Sequence, residues 1–396
     1  MVRFRRAAAL ALSAGLVLAV SGCAEQQGDS SGGGDDSGPI KIGAVLDITG
    51  AGASLGVPER NTLRMLAKEV NASGGVDGRE IELIIEDDQS TEDGAAKAVN
   101  KLVSQERVDI VLGGTRSGPS LAMRPVAEQG KVPMISLTAN QLIVDDATWV
   151  FKTAQNDRVV IEKMIAHMAS KGYTTLGLAR DATAFGEGVA EMFAEIGKAE
   201  GVKVVRTVKF APDATDFTAQ MVNLRDARAD INVIWGIPPA VALAQKAYRQ
   251  LGIDAPLMQS HGIGNQVFLD TAGASADGLI APIGRLLVAD QLSESDPQKQ
   301  VLLDFIKRYQ QEFGESPSTF AGHAYDAFHL AIGAFEAVGT DRQKVRDHLE
   351  HVDNFIGVTG TFHMSAEDHS GLGSDALVLV TVENGEWKLL PVQPAL

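Results

Sequence analysis

From Ile40 onward the apolar residues alternate between two spacings. Residues 40–47 form a short, mostly apolar run that predicts a buried strand. In residues 56–73, Leu63, Leu66, Ala67 and Val70 recur at i, i+3, i+4 and i+7, one face of a helix, and Gly74-Gly75 supplies its stop. The alternation continues with strand 81–86, helix 91–105, strand 109–112, helix 118–129 and strand 132–136. It resumes after Trp149-Val150-Phe151 with helix 155–170, strand 174–179, helix 185–200, strand 202–208, helix 216–227, strand 231–235, helix 239–251 and strand 256–259. Strands alternating with helices imply parallel sheets covered on both faces. So many strands exceed what one ordinary domain holds, so two successive doubly wound domains are expected. The tail differs: strand 279–282, helices 297–313, 319–338 and 342–351, then antiparallel strands 376–382 and 387–390 around Glu383-Asn384-Gly385. Asn-Gly between apolar runs is a hairpin signal.

The first 22 residues follow a different logic. Arg3, Arg5 and Arg6 precede an apolar stretch, 7–20, which falls short of the ~20 residues of a membrane-spanning helix. A cationic head with a short apolar middle reads as a secretory signal. It ends in Val20-Ser21-Gly22-Cys23, which resembles the bacterial lipobox, whose cysteine takes a diacylglycerol and becomes the new first residue. Cys23 is the one cysteine of the chain, so its lipidation leaves no thiol for a disulfide, a metal or a nucleophile. Residues 23–39 are small and polar and read as a flexible tether. The expected location is extracytoplasmic, on the outer face of a bacterial cell membrane.

Charge narrows the partners. The chain carries −16, and its first 22 residues contribute three positive charges, so the remainder carries −19. Such a surface argues against nucleic acid or anionic lipid as a partner.

In doubly wound sheets, ligands meet the loops at the carboxyl ends of strands. Three such loops are small and polar: 47–52, 113–120 and 136–140. In the second, Ser117 suits a helix cap and Pro119 a first turn, and free backbone N–H groups beside a serine hydroxyl make a seat for a carboxylate. Thr138 and Asn140 add a hydroxyl and an amide. Enzyme signatures are weak: the chain holds no Walker loop or HExxH, and no GxGxxG follows its first strand. No catalytic residue, cofactor or metal is assigned. The Glu86-Asp87-Asp88 cluster and the His363, Glu367, Asp368, His369 group read as solvated loop residues, and Trp235 as core.

The stretches "IKIGAVLDITG", "VNASGGVDGREIELIIEDDQS", "ISLTAN", "DATAFGEGVAEMF", "DFTAQMVNLRDARADINVIWG" and "STFAGHAYDAFHLAIGAFEAV" resemble the leucine/isoleucine/valine-binding branch of the type I periplasmic binding proteins, the solute receptors of ABC importers. The resemblance spans nearly all of residues 40–396. It implies two α/β lobes that close on a ligand about a hinge of three crossings, near Thr153-Ala154, Leu279-Ile280 and Gly360-Thr361. The first lobe would comprise 40–154 plus 281–360, and the second 155–280 plus 361–396. It implies a small carboxylated solute, an amino acid or organic acid, and ABC permease subunits as partners. Ser117, Thr138 and Asn140 fall on its carboxylate and ammonium contacts, and Phe185 on the aromatic that covers the ligand. Ile237 stands where the family has a tyrosine, and His261 where it has the acid that pairs with the α-ammonium. With that acid replaced, Asp47 and Asp181 are the other candidates for the missing charge. Two further readings are compatible with these residues. One is a sensing module for aromatic or aliphatic acids. The other is a secreted hydrolase, which would need Ser117 within hydrogen-bond reach of a histidine such as His261.

Overall fold

The structure, a computed structural model, describes residues 38–390. The signal, Cys23 and all but the end of the tether lie outside the described residues.

Five parallel strands form the first sheet: β1 (Ile40–Leu46), β2 (Ile81–Asp87), β3 (Ile110–Gly113), β4 (Met134–Ser136) and β5 (Val150–Lys152), in the order β2-β1-β3-β4-β5. Ile42 pairs with Leu83 on one side and Ile110 on the other, which sets the register around the central strand. Helices α1 (Ala53–Ala72), α2 (Glu92–Lys101) and α3 (Ser117–Gly130) connect them. The periodic residues Leu63, Leu66 and Ala67 of α1 are buried in one core, and Ala95, Ala98 and Val99 of α2 in another on the opposite face of the sheet.

The second sheet repeats that order. β6 (Thr175–Asp181), β7 (Lys203–Phe210), β8 (Ile231–Trp235), β9 (Leu257–Gln259) and β10 (Ile280–Ile283) run β7-β6-β8-β9-β10, all parallel. Helices α4 (Asp157–Ser170), α5 (Val189–Ala199), α6 (Thr218–Ala227), α7 (Ala240–Gln250) and α8 (Gln266–Ala272) accompany them. In the tail come α9 (Lys299–Phe313), α10 (Thr319–Val338) and α11 (Arg342–Leu349). A small antiparallel pair follows, β11 (Asp353–Ile356) with β12 (Thr361–His363), and then β13 (Val378–Glu383) and β14 (Glu386–Leu389). β13 extends the second sheet antiparallel to β10 and β14 pairs antiparallel with β13, so that sheet is mixed. Asn384 and Gly385, with φ of 54° and 77°, make the turn between them, as two positive-φ residues do in a tight hairpin.

Helices α9, α10 and α11 pack against the first sheet, so its core holds Phe305, Phe328, Phe335 and Leu349 beside Ile42 and Leu112. The expected lobe boundaries need two corrections. Residues 281–283 are paired in the second sheet, so the chain returns to the first lobe only after Ile283. Residues 361–376 stay with the first lobe, because Phe362, Met364, Leu372 and Ala376 fill its core; Leu377 is the first to join the second. His369 shows why. Its ring stacks on Phe151 at 4.1 Å, its Nδ1 lies 2.9 Å from the Val150 carbonyl, and its own carbonyl accepts from the Lys152 N–H. It is a buried clamp, not the solvated loop residue that its sequence context predicts.

The crossings are stitched together. Thr153 donates to the His323 carbonyl at 2.9 Å, Gln155 to the Thr359 carbonyl at 3.0 Å, and Arg285 to the Asp375 carbonyl at 2.6 Å.

Candidate functional site

The carboxyl edges of the two sheets face one another across a cavity of about 540 Å³, within the usual range for a small-molecule site. It sits beside the point in each sheet where the strand order reverses, where open α/β sheets bind ligands.

On the first lobe the wall is polar and rigid. Gly113 and Gly114 both have positive φ, and a Cβ on Gly113 would stand 2.2 Å from the Val45 carbonyl oxygen, so only glycine lets the chain turn there. The turn delivers α3 amino-end first to the cavity. The N-cap is Arg116 rather than Ser117, and no side chain caps this helix. Ser117 is therefore its first helical residue, with its hydroxyl 3.3 Å from that of Thr138. The opening N–H groups of a helix have no partner within it, and their dipole favours an anion. Behind this pair, Ser120 binds both the Gly114 carbonyl, at 2.9 Å, and the Ser136 hydroxyl, at 3.0 Å, which fixes the two loops to each other.

Arg116 lies at the same edge. Its guanidinium is paired with Asp47 and donates to the Ser90 carbonyl. Asp47, Glu59 and Asp88 are each fully buried, so the Asp47 loop and the end of the 86–88 cluster form an interior acidic group, where solvated residues were expected. Thr115 links two of them, donating to Glu59 and accepting from the Asp47 N–H. Burial, reinforced by the neighbouring Asp47, pushes the Glu59 and Asp88 carboxyls upward, which keeps protons on this group. With its carboxylate facing Arg116, Asp47 is not among the cavity-lining residues.

The second lobe contributes a largely apolar wall. α5 begins at Val189, later than its periodicity predicts, so Phe185 stays in the preceding loop and faces the cavity. Asp181 shapes that loop by accepting from the Thr183 N–H and hydroxyl, and Thr183 in turn accepts from the Phe185 N–H. Asp181 thus serves the turn and does not line the cavity. Trp235 is fully buried; it packs behind Phe185 and donates to its carbonyl at 3.0 Å. Ile237 and His261 complete this wall. The His261 ring meets Phe185 and Trp235 edge-on, at 5.6 and 5.8 Å between centroids, and its Nδ1 is buried without a hydrogen-bond partner. Burial lowers its pKa to about 3, so the ring is neutral at physiological pH.

Five of the six ligand residues expected from the sequence therefore line one cavity: Ser117, Thr138, Phe185, Ile237 and His261. Asn140 does not. Its Oδ1 accepts from the Leu142 N–H at 2.9 Å, capping a short turn, and its Nδ2 donates to the Ala184 carbonyl at 2.8 Å, across from one lobe to the other. Each end of the amide already has a protein partner. Thr319 makes a second bridge, through its N–H and hydroxyl, to the Gly264 carbonyl. The sequence reading missed Arg116, Thr183 and the carboxyl-terminal contributors Phe320 and His323. His323 lies 3.2 Å from the Thr359 hydroxyl through Nδ1, and burial lowers its pKa to about 3. Only the pairing of a histidine with an aromatic at the start of the helix at 319–338 could have flagged these two.

Ser117 has Thr138 as its side-chain partner, not a histidine, so the nucleophile–base pair of a hydrolase is not assembled here. Among the described residues no cluster of His, Cys, Asp and Glu could hold a metal ion.

Two lobes of like strand order that enclose one ligand-sized cavity define a bilobal solute receptor. Residues 39–386 match the family described as periplasmic binding protein, and the chain belongs to that family, whose members bind solutes and are not enzymes. The chain is 28% identical, over 78% of its length and 82% of the relative's, to the leucine-, isoleucine-, valine-, threonine- and alanine-binding protein of Pseudomonas aeruginosa. It is similar to the branched-chain amino acid transporter substrate-binding protein LivJ of Streptococcus pneumoniae, solved with isoleucine, with a TM-score of 0.78 and 25% identity over 88% of this chain and 98% of that one. An extracellular ligand-binding receptor from Rhodopseudomonas palustris aligns with a TM-score of 0.83 and 26% identity, over 89% of this chain and all of the other. Members of this family work outside the cytoplasm, and no described helix is long and apolar enough to cross a membrane.

Proposed function

We propose that this chain is the solute-binding lipoprotein of an ABC importer, and that it captures a branched-chain amino acid or a related small carboxylate between its lobes. The observation that carries this reading is the pairing of the Ser117 and Thr138 hydroxyls at the amino end of α3, opposite the apolar wall of Phe185 and Ile237. A carboxylate at the helix terminus would accept the hydroxyls and free N–H groups, while an alkyl chain packs on Phe185. What its relatives are named for, Leu/Ile/Val binding and branched-chain amino acid transport, supports the same class. Hinged closure about the three crossings would bury the solute and present the closed lobes to permease subunits. Lipid on Cys23 would hold the receptor on the outer face of the cell membrane.

Calorimetric titration with leucine, isoleucine, valine and the matching carboxylic acids tests the capture reading. Ligand at 100 times its Kd should raise stability by about 2.7 kcal/mol. If no carboxylate produces heat or stabilisation, the reading fails. Cys23→Ser should release the protein from the membrane fraction; unchanged membrane retention refutes the anchor.

A further inference from the structure

The cavity is asymmetric in charge as well as polarity. Its carboxylates among the described residues are Glu92 and Asp93, both exposed at the mouth beside α3. The second-lobe wall has none. Two buried acids of the adjoining loops, Asp47 and Asp181, do not line the cavity; each uses one carboxylate oxygen, Asp47 on Arg116 and Asp181 on Thr183, and keeps the other buried without a partner. An ammonium drawn into a dry cavity needs a counter-charge to offset its lost hydration. The enclosed end offers two imidazoles instead. His261 is held edge-on by Phe185 and Trp235 and keeps Nδ1 buried without a partner, and His323 is held through Nδ1 at Thr359. Both rings are kept neutral by burial. Lys152, which donates to the Ala139 carbonyl just behind the cavity, has its pKa lowered by burial to about 7, and in its charged form it disfavours charging either ring. A neutral imidazole nitrogen donates or accepts according to its tautomer, and a hydroxyl satisfies either; a carbonyl satisfies the N–H form. An ammonium, which only donates, leaves its own charge unbalanced.

Resting on the carboxylate seat at Ser117 and Thr138, we propose that the His261–His323 end of the cavity takes an uncharged oxygen function. The preferred solute is then a 2-hydroxy or 2-oxo carboxylate in place of the matching 2-amino acid.

Two matched series test this on the purified protein by calorimetry. The first is L-leucine, 2-hydroxy-4-methylpentanoate, 4-methyl-2-oxopentanoate and L-leucinol. The second is L-phenylalanine, phenyllactate and phenylpyruvate. The hydroxy or oxo acid of at least one series should bind ten times or more tighter than its amino acid, and leucinol should not bind. Amino acids that bind as tightly as both of their partners in every series that binds overturn the proposal and leave carboxylate capture standing. Leucinol binding as well as leucine, or no binding in either series, removes the carboxylate seat and the proposal with it. His261→Asp, by supplying a counter-charge, should shift preference toward the amino acid by ten times or more. Should that variant fail to fold, His261→Asn keeps a neutral donor and acceptor and should keep the preference for the oxygen acids. If either folded variant leaves amino and oxygen acids ranked opposite to these expectations, His261 does not set the choice.

Discussion

The two lobes share one strand order, yet each offers the cavity a different chemistry. In the first, tight glycine turns aim a helix terminus and two hydroxyls at the solute, and buried acids with Arg116 brace them from behind. In the second, the equivalent edge offers Phe185 backed by Trp235, then Ile237 and a neutral histidine. A repeated topology fixes where a site forms, and the loop residues decide what it can hold. One lobe orients a charged end through directional bonds, and the other supplies apolar area and a dry boundary.

That contrast predicts opposite responses to pH for a base on one lobe and an acid on the other. His261 has a folded pKa of about 3, below its usual 6.5, so the unfolded chain binds more protons between those values. Its contribution to stability is complete above pH 6.5 and declines as pH falls toward 3, by about 1.4 kcal/mol per unit. Asp326 of α10 is buried while it accepts from the Val358 and Thr359 N–H groups at 2.7 Å, and burial raises its pKa from 3.8 to about 7. Its contribution is therefore complete below pH 3.8 and declines as pH rises toward 7. Urea midpoints from pH 4 to 7 should rise less steeply with pH in His261→Gln than in the native protein, and more steeply in Asp326→Asn. Slopes that move the same way in both variants would break the contrast.

A smaller effect is expected at the polar seat. Replacing Ser117 and Thr138 together by alanine removes two hydroxyls from a charged ligand end, about 3 kcal/mol or roughly 100-fold in Kd. The denaturation midpoint of the free protein should hardly move, since neither hydroxyl caps the helix. An affinity loss under fivefold would mean that the helix N–H groups bind the carboxylate alone. Asn140→Ala should cost less, about 1 kcal/mol, through the lost cap and the lost bridge to Ala184. Its signature is a faster ligand off-rate with the on-rate preserved, read by stopped flow; an unchanged off-rate would show that the bridge to Ala184 does not hold the lobes together. The smallest change belongs to Glu92→Gln at the exposed mouth, where solvent screens the charge and Kd should stay within about twofold.

Much of the fold was legible because it depends on local periodicity. The helix at 319–338 begins and ends where its pattern does, and Asn384-Gly385 turns the closing hairpin as its dipeptide requires. The polar loops that carry Ser117 and Thr138 were visible for the same reason: they follow strands and open helices. Other features were hidden because they depend on partners distant in sequence. Residues 361–376 lie with the first lobe because His369 stacks on Phe151, 218 positions away in the chain. Asp88 looks like a surface acid until Asp47 and Glu59 are seen to bury it with them. Asn140 looks like a ligand donor until Ala184 of the other lobe takes its amide.

The amino-acid order thus determined which segments become strands, helices and turns, and the two-lobe class that follows from their alternation, since those outcomes rest on contacts within a few residues. The tertiary structure decided how each polar side chain is spent. A hydroxyl, amide or carboxylate in a dry interior must find a partner, and whether that partner is a neighbouring loop, the opposite lobe or the space left for a solute is settled only when distant segments meet.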